Sequence, residues 1–207
     1  LTASTDGYTA LPVDALGSSY VVLGYGNTVH LAGGGGTNLT IVGTADNTNV
    51  TITPTVTAGS RPADVPFTVT LNAGQAYTLH VDTQTNNVSG VVDLTGTVVN
   101  SDKPISVFGG NTAAYVPAGF EAADHLIEQL PPVESWGKRF VTQPLATRTR
   151  GDTFRVLAQS NNTEVRINGT LVTTLAAGKF YETILTAAST IEASQPVLVA
   201  QYSHGQT

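Results

Sequence analysis

Between positions 121 and 140 the chain gathers the residue types that do chemistry. Glu121, Asp124, Glu128 and Glu134 surround His125 and are followed by Trp136, Lys138 and Arg139. Elsewhere charge is sparse: charged residues make up 12% of the 207, about half the usual share. Two carboxylates flanking a sugar cleft would hydrolyse a glycosidic bond. His125 and Glu128, three positions apart, would share one face of a helical turn and supply two ligands of a metal site. The third reading is structural, with carboxylates capping backbone amides and His125 bonding locally. Spacing across a loop does not fix a carboxylate separation, and two ligands do not make a site. Asp124, His125, Glu128 and Trp136 are therefore read as a structural junction, its acids paired with backbone amides, Lys138, Arg139 or Arg148. No catalytic residue and no metal site is assigned.

Other constellations are weaker. The chain has no cysteine and no G-x-S-x-G elbow, and Ser203 and His204, as neighbours on a strand, point apart. The glycines of "AGGGGT" (32–37) lack the Lys-Ser/Thr of a phosphate cradle. "ADNTN" (45–49) and "NSDK" (100–103) offer oxygens of the kind calcium accepts, yet Asp and Asn favour turns for conformational reasons, and the related stretch "QSNNTE" has no Asp. No cofactor is expected, with calcium the one alternative. A covalent Lys–Asn cross-link would need a buried lysine, and Lys103 and Lys179 lie at turns while Lys138 follows Gly137.

The elements that position these residues are strands. "FTVTLNAG" alternates Phe67, Val69 and Leu71 with threonines, and Asn168-Gly169 is a two-residue hairpin signal. Only 121–130 has room for a helical turn, ended by Pro131-Pro132. The chain also repeats itself. "LPVDALGSSYVV" (11–22) resembles "LPPVESWGKRFVT" (130–142), "LTIVGTADNTNVTIT" (39–53) resembles "FRVLAQSNNTEVRIN" (154–168), "LNAGQAY" (71–77) resembles "LAAGKFY" (175–181), and "NSDKPISVF" (100–108) resembles "EASQPVLVA" (192–200). Leu16 to Trp136, Thr48 to Thr163, Gly74 to Gly178 and Pro104 to Pro196 are 120, 115, 104 and 92 positions apart. Matches in one order, with falling separations, indicate a duplication whose first copy carries insertions at 24–38, 54–66 and 81–93.

The expected fold is all-β, with two tandem related antiparallel β-sandwich-like units: 1–122 with inserted loops, then 123–207 as the bare unit. Two blades of a β-propeller are the alternative. Leu16 and Trp136 should occupy equivalent buried places at the starts of their strands. The net charge of −6 and the absence of a basic face argue against nucleic acid, and the longest apolar runs are strand-sized, which argues against membrane insertion. No leader stands at the start, so any signal peptide is expected to be removed or to lie outside this sequence.

"STDGYTALPVDALGSSYVV", "SDKPISVFGGN", "DHLIEQLPPVESWGKRFV", "PLATRTRGDTFRVLA" and "PVLVAQYSHG" together resemble the N-terminal domain of the IgGFc-binding protein family. The resemblance implies a domain of large surface or secreted proteins, bacterial ones among them, and brings no catalytic residue. It also implies a cysteine pair around the loop before "DHL", where this chain has Ala113 and Ala123. That loop must then be held by Tyr115, Val116 and Phe120. The expected function is a non-catalytic extracellular or cell-surface binding and adhesion module of a larger bacterial protein. Its partner is expected to be a host or neighbouring-cell protein or glycan. Tyr25, Tyr115 and Phe120 are the candidate contacts, on the inserted loops and on 111–123. The alternatives are a carboxylate-dependent glycan hydrolase centred on 121–134 and a purely structural spacer.

Overall fold

The computed structural model describes residues 6–26, 35–82, 92–120, 122–146 and 149–204. The first sheet is built from β1 (Gly17–Val21), β2 (Gly36–Gly43), β3 (Thr48–Thr53), β4 (Phe67–Leu71), β5 (Ala76–Asp82), β6 (Val98–Ala114) and β7 (Asp124–Gln129). The second contains β8 (Gly137–Thr142), β9 (Asp152–Ala158), β10 (Thr163–Ile167), β11 (Thr170–Leu175), β12 (Phe180–Leu185) and β13 (Ser189–Tyr202). The order β4-β3-β6-β2-β5, with β1 also on β6, recurs as β11-β10-β13-β9-β12, with β8 also on β13. One long strand in each unit pairs with several others and curls the sheet around its core. That is a pair of tandem antiparallel units, not a pair of four-stranded blades.

The strand registers reproduce every sequence separation. Ile41 pairs with Val107 and Tyr77, and Val156, 115 positions on, pairs with Val199 and Tyr181. Tyr20 faces Val99 as Phe140 faces Ile191, and Thr48 faces Leu71 as Thr163 faces Leu175. Turns repeat too. Asn47 and Asn162 have φ of 53° and 56°, Gly74 and Gly178 of 75° and 73°, the left-handed region that Gly and Asn tolerate. Each strand pair begins after a Pro-capped 3-10 turn, Val13–Ala15 or Val133–Ser135, closed by the Leu16 or Trp136 amide on the Val13 or Val133 carbonyl. Trp136 is buried and Leu16 half-buried, so the equivalence holds in backbone while the larger side chain takes the deeper place.

The units share a boundary. β2 alternates in burial, whereas all seven residues of β9 are buried, because β9 has a core on each face. Val156 and Ala158 belong to the second unit's cluster, while Leu157, Leu198 and Phe180 pack with the first unit's. The backbones approach closely at one turn, where a Cβ on Gly96 (φ +92°) would stand 2.3 Å from the Gly178 carbonyl oxygen.

Two expectations need correction. The room for a helical turn at 121–130 and the start of the second unit at 123 both give way: Asp124–Gln129 form β7 and pair with β6 in the first sheet. Asp6 and Thr9 bond to this strand's backbone and Glu128 side chain, so its outer edge is taken by the N-terminal segment and it stays extended. The insertions around 27–34 and 83–91, Glu121 and Arg148 lie outside the described residues.

Candidate functional site: a buried cation between the units

The junction residues do not converge. On a strand, His125 and Glu128 fall on opposite faces, so the shared face that a metal pair requires is lost. The Asp124 carboxylate accepts the His125 amide at 2.9 Å. Glu128 accepts the amides of Thr9 and Gln129, and its pKa is nonetheless raised, by burial first and by Asp6 second. Glu134 lies in the 3-10 turn packed on the start of β1, where a Cβ on Gly17 would meet Pro132 at 2.6 Å and Glu134 Oε2 at 3.1 Å. Lys138 donates to the Ser194 carbonyl at 3.0 Å instead of to a carboxylate. Trp136 donates its indole N–H to the Pro131 carbonyl at 3.3 Å.

The turn oxygens considered for calcium are used within the protein. The Lys103 ammonium donates to the carbonyls of Asp46 and Asn47. Asp46 accepts the Ala73 amide at 3.1 Å, and in the second unit Asn161 accepts the Ala177 amide at 2.9 Å in the equivalent place. An Asn thus does in the second unit the same work as the Asp in the first.

Among the described residues, a buried polar cluster lies elsewhere. Arg155, at the middle of β9, is 5% exposed. Its Nε donates to Glu182 at 2.7 Å, and Nη1 donates to Asp93 at 2.7 Å and to the Gly24 carbonyl at 2.8 Å. The guanidinium lies 4.0 Å from the Tyr25 ring centre and 4.2 Å from that of Phe180. Tyr202 packs edge-on to Tyr25 and donates its hydroxyl to Gly24 at 2.9 Å. Burial opposes the Arg155 charge, but Asp93, Tyr202 and Glu182 offset it and hold its pKa above the ordinary value. Burial likewise raises the pKa of Tyr25 and of Tyr202, with Glu182 adding to the rise at Tyr25 and Arg155 opposing it at both. A cation paired twice, stacked and fixed in this way ties two surfaces together; it presents no reacting group to solvent.

This cluster was missed in the sequence, although a signal existed. Arg155 and Glu182 stand where the first copy has Thr40 and Thr78, whose hydroxyls meet at 3.0 Å. A charge pair replacing a surface Thr pair shows that this face of the second unit is no longer a surface.

Of the candidate contacts, Tyr25 is 2% exposed and belongs to the cage around Arg155, so it is corrected to a structural residue. Tyr115 and Phe120 are half-buried on the loop between β6 and β7. Phe120 packs tilted against His204 at 5.0 Å between ring centres and lies 5.8 Å from the Arg150 guanidinium. His204 in turn meets the Thr153 hydroxyl at 2.9 Å. An aromatic ring beside an exposed arginine, on a loop at the edge of the unit boundary, is an arrangement suited to contact.

These features define a class first: a tandem-duplicated all-β module whose two units are joined by a buried cation. Residues 6–207 match the profile of the family described as IgGFc binding protein, and the chain belongs to that family. A relative from Homo sapiens, "IgGFc-binding protein", is 34% identical over 114 residues, covering 50% of this chain and 2% of the relative. The chain thus spans about 2% of the length of that curated relative. No solved structure matches. No helix among the described residues is long and apolar enough to cross a membrane.

Proposed function

We propose that this chain is a non-catalytic binding module of a larger extracellular or cell-surface protein, and that it engages a protein or glycan of a host or neighbouring cell. Membership of the IgGFc-binding family over nearly the whole chain carries this reading. The geometry favours the loop 115–120 as the contact surface, with Tyr115, Phe120 and Arg150 as its side chains. Tyrosine and arginine are enriched among interaction hot spots, and Tyr115 and Arg150 supply both here. The spacer reading has one observation behind it, the Arg155 cage, which makes the two units a stiff pair. A spacer would need such a joint and no contact surface. The hydrolase reading has less, since Asp124, Glu128 and Glu134 are occupied with amides and turn packing. Calcium at the 45–49 turn competes with Lys103 for the same carbonyls.

The test is an array of glycans and extracellular proteins, IgG Fc included, probed with the purified chain. Hits are then measured by surface plasmon resonance against Phe120→Ala and Arg150→Ala. The proposal expects at least one ligand whose affinity falls about tenfold or more in Phe120→Ala, with the thermal midpoint little changed. A retained ligand indifferent to both substitutions would move the contact surface, and no ligand at all would favour the spacer.

A further inference from the structure

Arg61 is the one Lys or Arg among residues 1–100, which carry six Asp. It lies on residues 54–66 between β3 and β4, where the second unit has only 168–169 between β10 and β11. Of the three insertions in the first copy, this is the one described throughout. Its own bonds fix it. Ala58 and Arg61 exchange two backbone hydrogen bonds, at 2.9 and 3.0 Å, around a Gly59-Ser60 turn. The Asp64 amide donates to the Pro54 carbonyl at 2.8 Å and the Ala63 amide to the Thr57 hydroxyl at 3.2 Å, while Val56 packs on the first unit's core. The second copy builds the same sheet without this loop, so the loop is not a requirement of the fold. It lays the Arg61 guanidinium on Phe67, 4.2 Å from the ring centre, and Phe67 tilts against Tyr77 at 6.0 Å. The two rings come from β4 and β5, the ends of the strand path, which are not paired with each other.

We infer that Arg61 is a carboxylate-recognition site, and that its ligand is an aspartate or glutamate of a partner protein, flanked there by apolar residues. Stacking occupies a face of the guanidinium and leaves its N–H donors in the plane of the group. Among the described residues, none accepts a hydrogen bond or an ion pair from those donors. Arg61 is half-buried, so the donors are held in one place, and a planar fork held this way is preorganised for both oxygens of one carboxylate. Pro62, Val65 and Pro66 beside it in the loop are exposed, which suits apolar neighbours of the bound acid. The surrounding charge limits the ligand. Six Asp against Arg61 make the first hundred residues repel a polyanion, and a single carboxylate is favoured only where the cation stands. The site lies on the first unit and does not depend on the loop 115–120 touching a ligand.

The probes are two capped tripeptides, Leu-Glu-Leu and Leu-Gln-Leu, and glucuronate, each titrated into the full 207-residue protein. Binding is read from the NMR signals of the Arg61 Nε–H and of the Phe67 and Tyr77 rings. The glutamate peptide is expected to shift these signals to saturation. The glutamine peptide should bind about tenfold or more weaker, because it lacks the charge-assisted pair. Arg61→Lys keeps the charge and removes the planar fork, so it should weaken the glutamate peptide about tenfold as well. The comparison of the two peptides is made on the parent protein and stands whether or not the variant folds. Four results would overturn the inference: no shift at Arg61 with Leu-Glu-Leu, equal affinity for the two peptides, full affinity in a folded Arg61→Lys, or tighter binding of glucuronate, which would make the ligand a sugar acid.

Discussion

Arg155 of the second unit and Asp93 of the first meet at 2.7 Å, with their side chains 6% and 17% exposed. This bond crosses the boundary between two copies of one fold, and its partner on the other nitrogen, Glu182, comes from the strand next to β9. The first copy has no such charge at the corresponding positions, so the cage belongs to the joining of the units and not to the unit itself.

Removing Arg155 should therefore destabilise the pair of units more than either unit. Arg155→Ala leaves the Asp93 carboxylate, whose side chain is 17% exposed, without its cation, while the more exposed Glu182 is solvated in its place; breaking a fully buried pair costs about 3–5 kcal/mol, so a loss towards the lower end of that range is expected. The double variant Arg155→Thr, Glu182→Thr recreates the Thr40–Thr78 pair of the first copy and should lose less than Arg155→Ala. Denaturant unfolding of both variants checks the order.

Trp136→Ala should cost about 3–5 kcal/mol, the range for truncating a buried aromatic. Leu16→Ala, at the half-buried equivalent, should cost less. Equal losses, or an unchanged midpoint in Trp136→Ala, would show that the indole does not hold the start of β8.

Glu128 gives a pH-dependent prediction whose sign follows from its raised pKa. Above the pKa of the unfolded chain and through that of the folded one, the native state holds the extra proton, so this group's contribution to stability falls as pH rises. Glu128→Gln removes that loss. The variant should gain in thermal midpoint relative to the parent at neutral pH and lose that advantage in acid, below the unfolded carboxylate range. The opposite trend would mean that its amide contacts outweigh its burial.

Gly74 and Gly178 are equivalent turn glycines with nearly the same φ, yet a Cβ on Gly74 meets nothing within 4 Å while one on Gly178 meets Gly96 at 3.4 Å. Alanine at Gly74 should cost the left-handed penalty alone, about 1–2 kcal/mol. Gly96→Ala should cost more, because its added carbon enters the Gly178 carbonyl. Thermal midpoints of the variants test this.

The strands were legible because half-buried β structure alternates with period two, and the duplication because each match kept its order. The register then showed that the four separations, 120, 115, 104 and 92, are those of paired strands. β7 was not legible. "DHLIEQ" alternates weakly, and its extended state is set by β6 and by Asp6, 121 positions from the Ile127 amide it accepts. Tyr25 was misjudged for a related reason: an aromatic beside a Gly-rich segment looks exposed until the partner that buries it is known. Arg155 was the same problem reversed, since the identity of a buried cation's partners is long-range information. Asp93 lies 62 positions away.

In the function proposed above, the acidic stretch from Asp124 to Glu134 is scaffolding and the module binds without turning over a substrate. The direct measurement changes Asp124, Glu128 and Glu134 each to the neutral amide and assays the variants and the parent against a broad polysaccharide panel, with thermal midpoints recorded alongside. No hydrolysis by any of the proteins is expected, with the substitutions changing thermal midpoints alone. Turnover by the parent that vanishes in a variant of undiminished stability would contradict it.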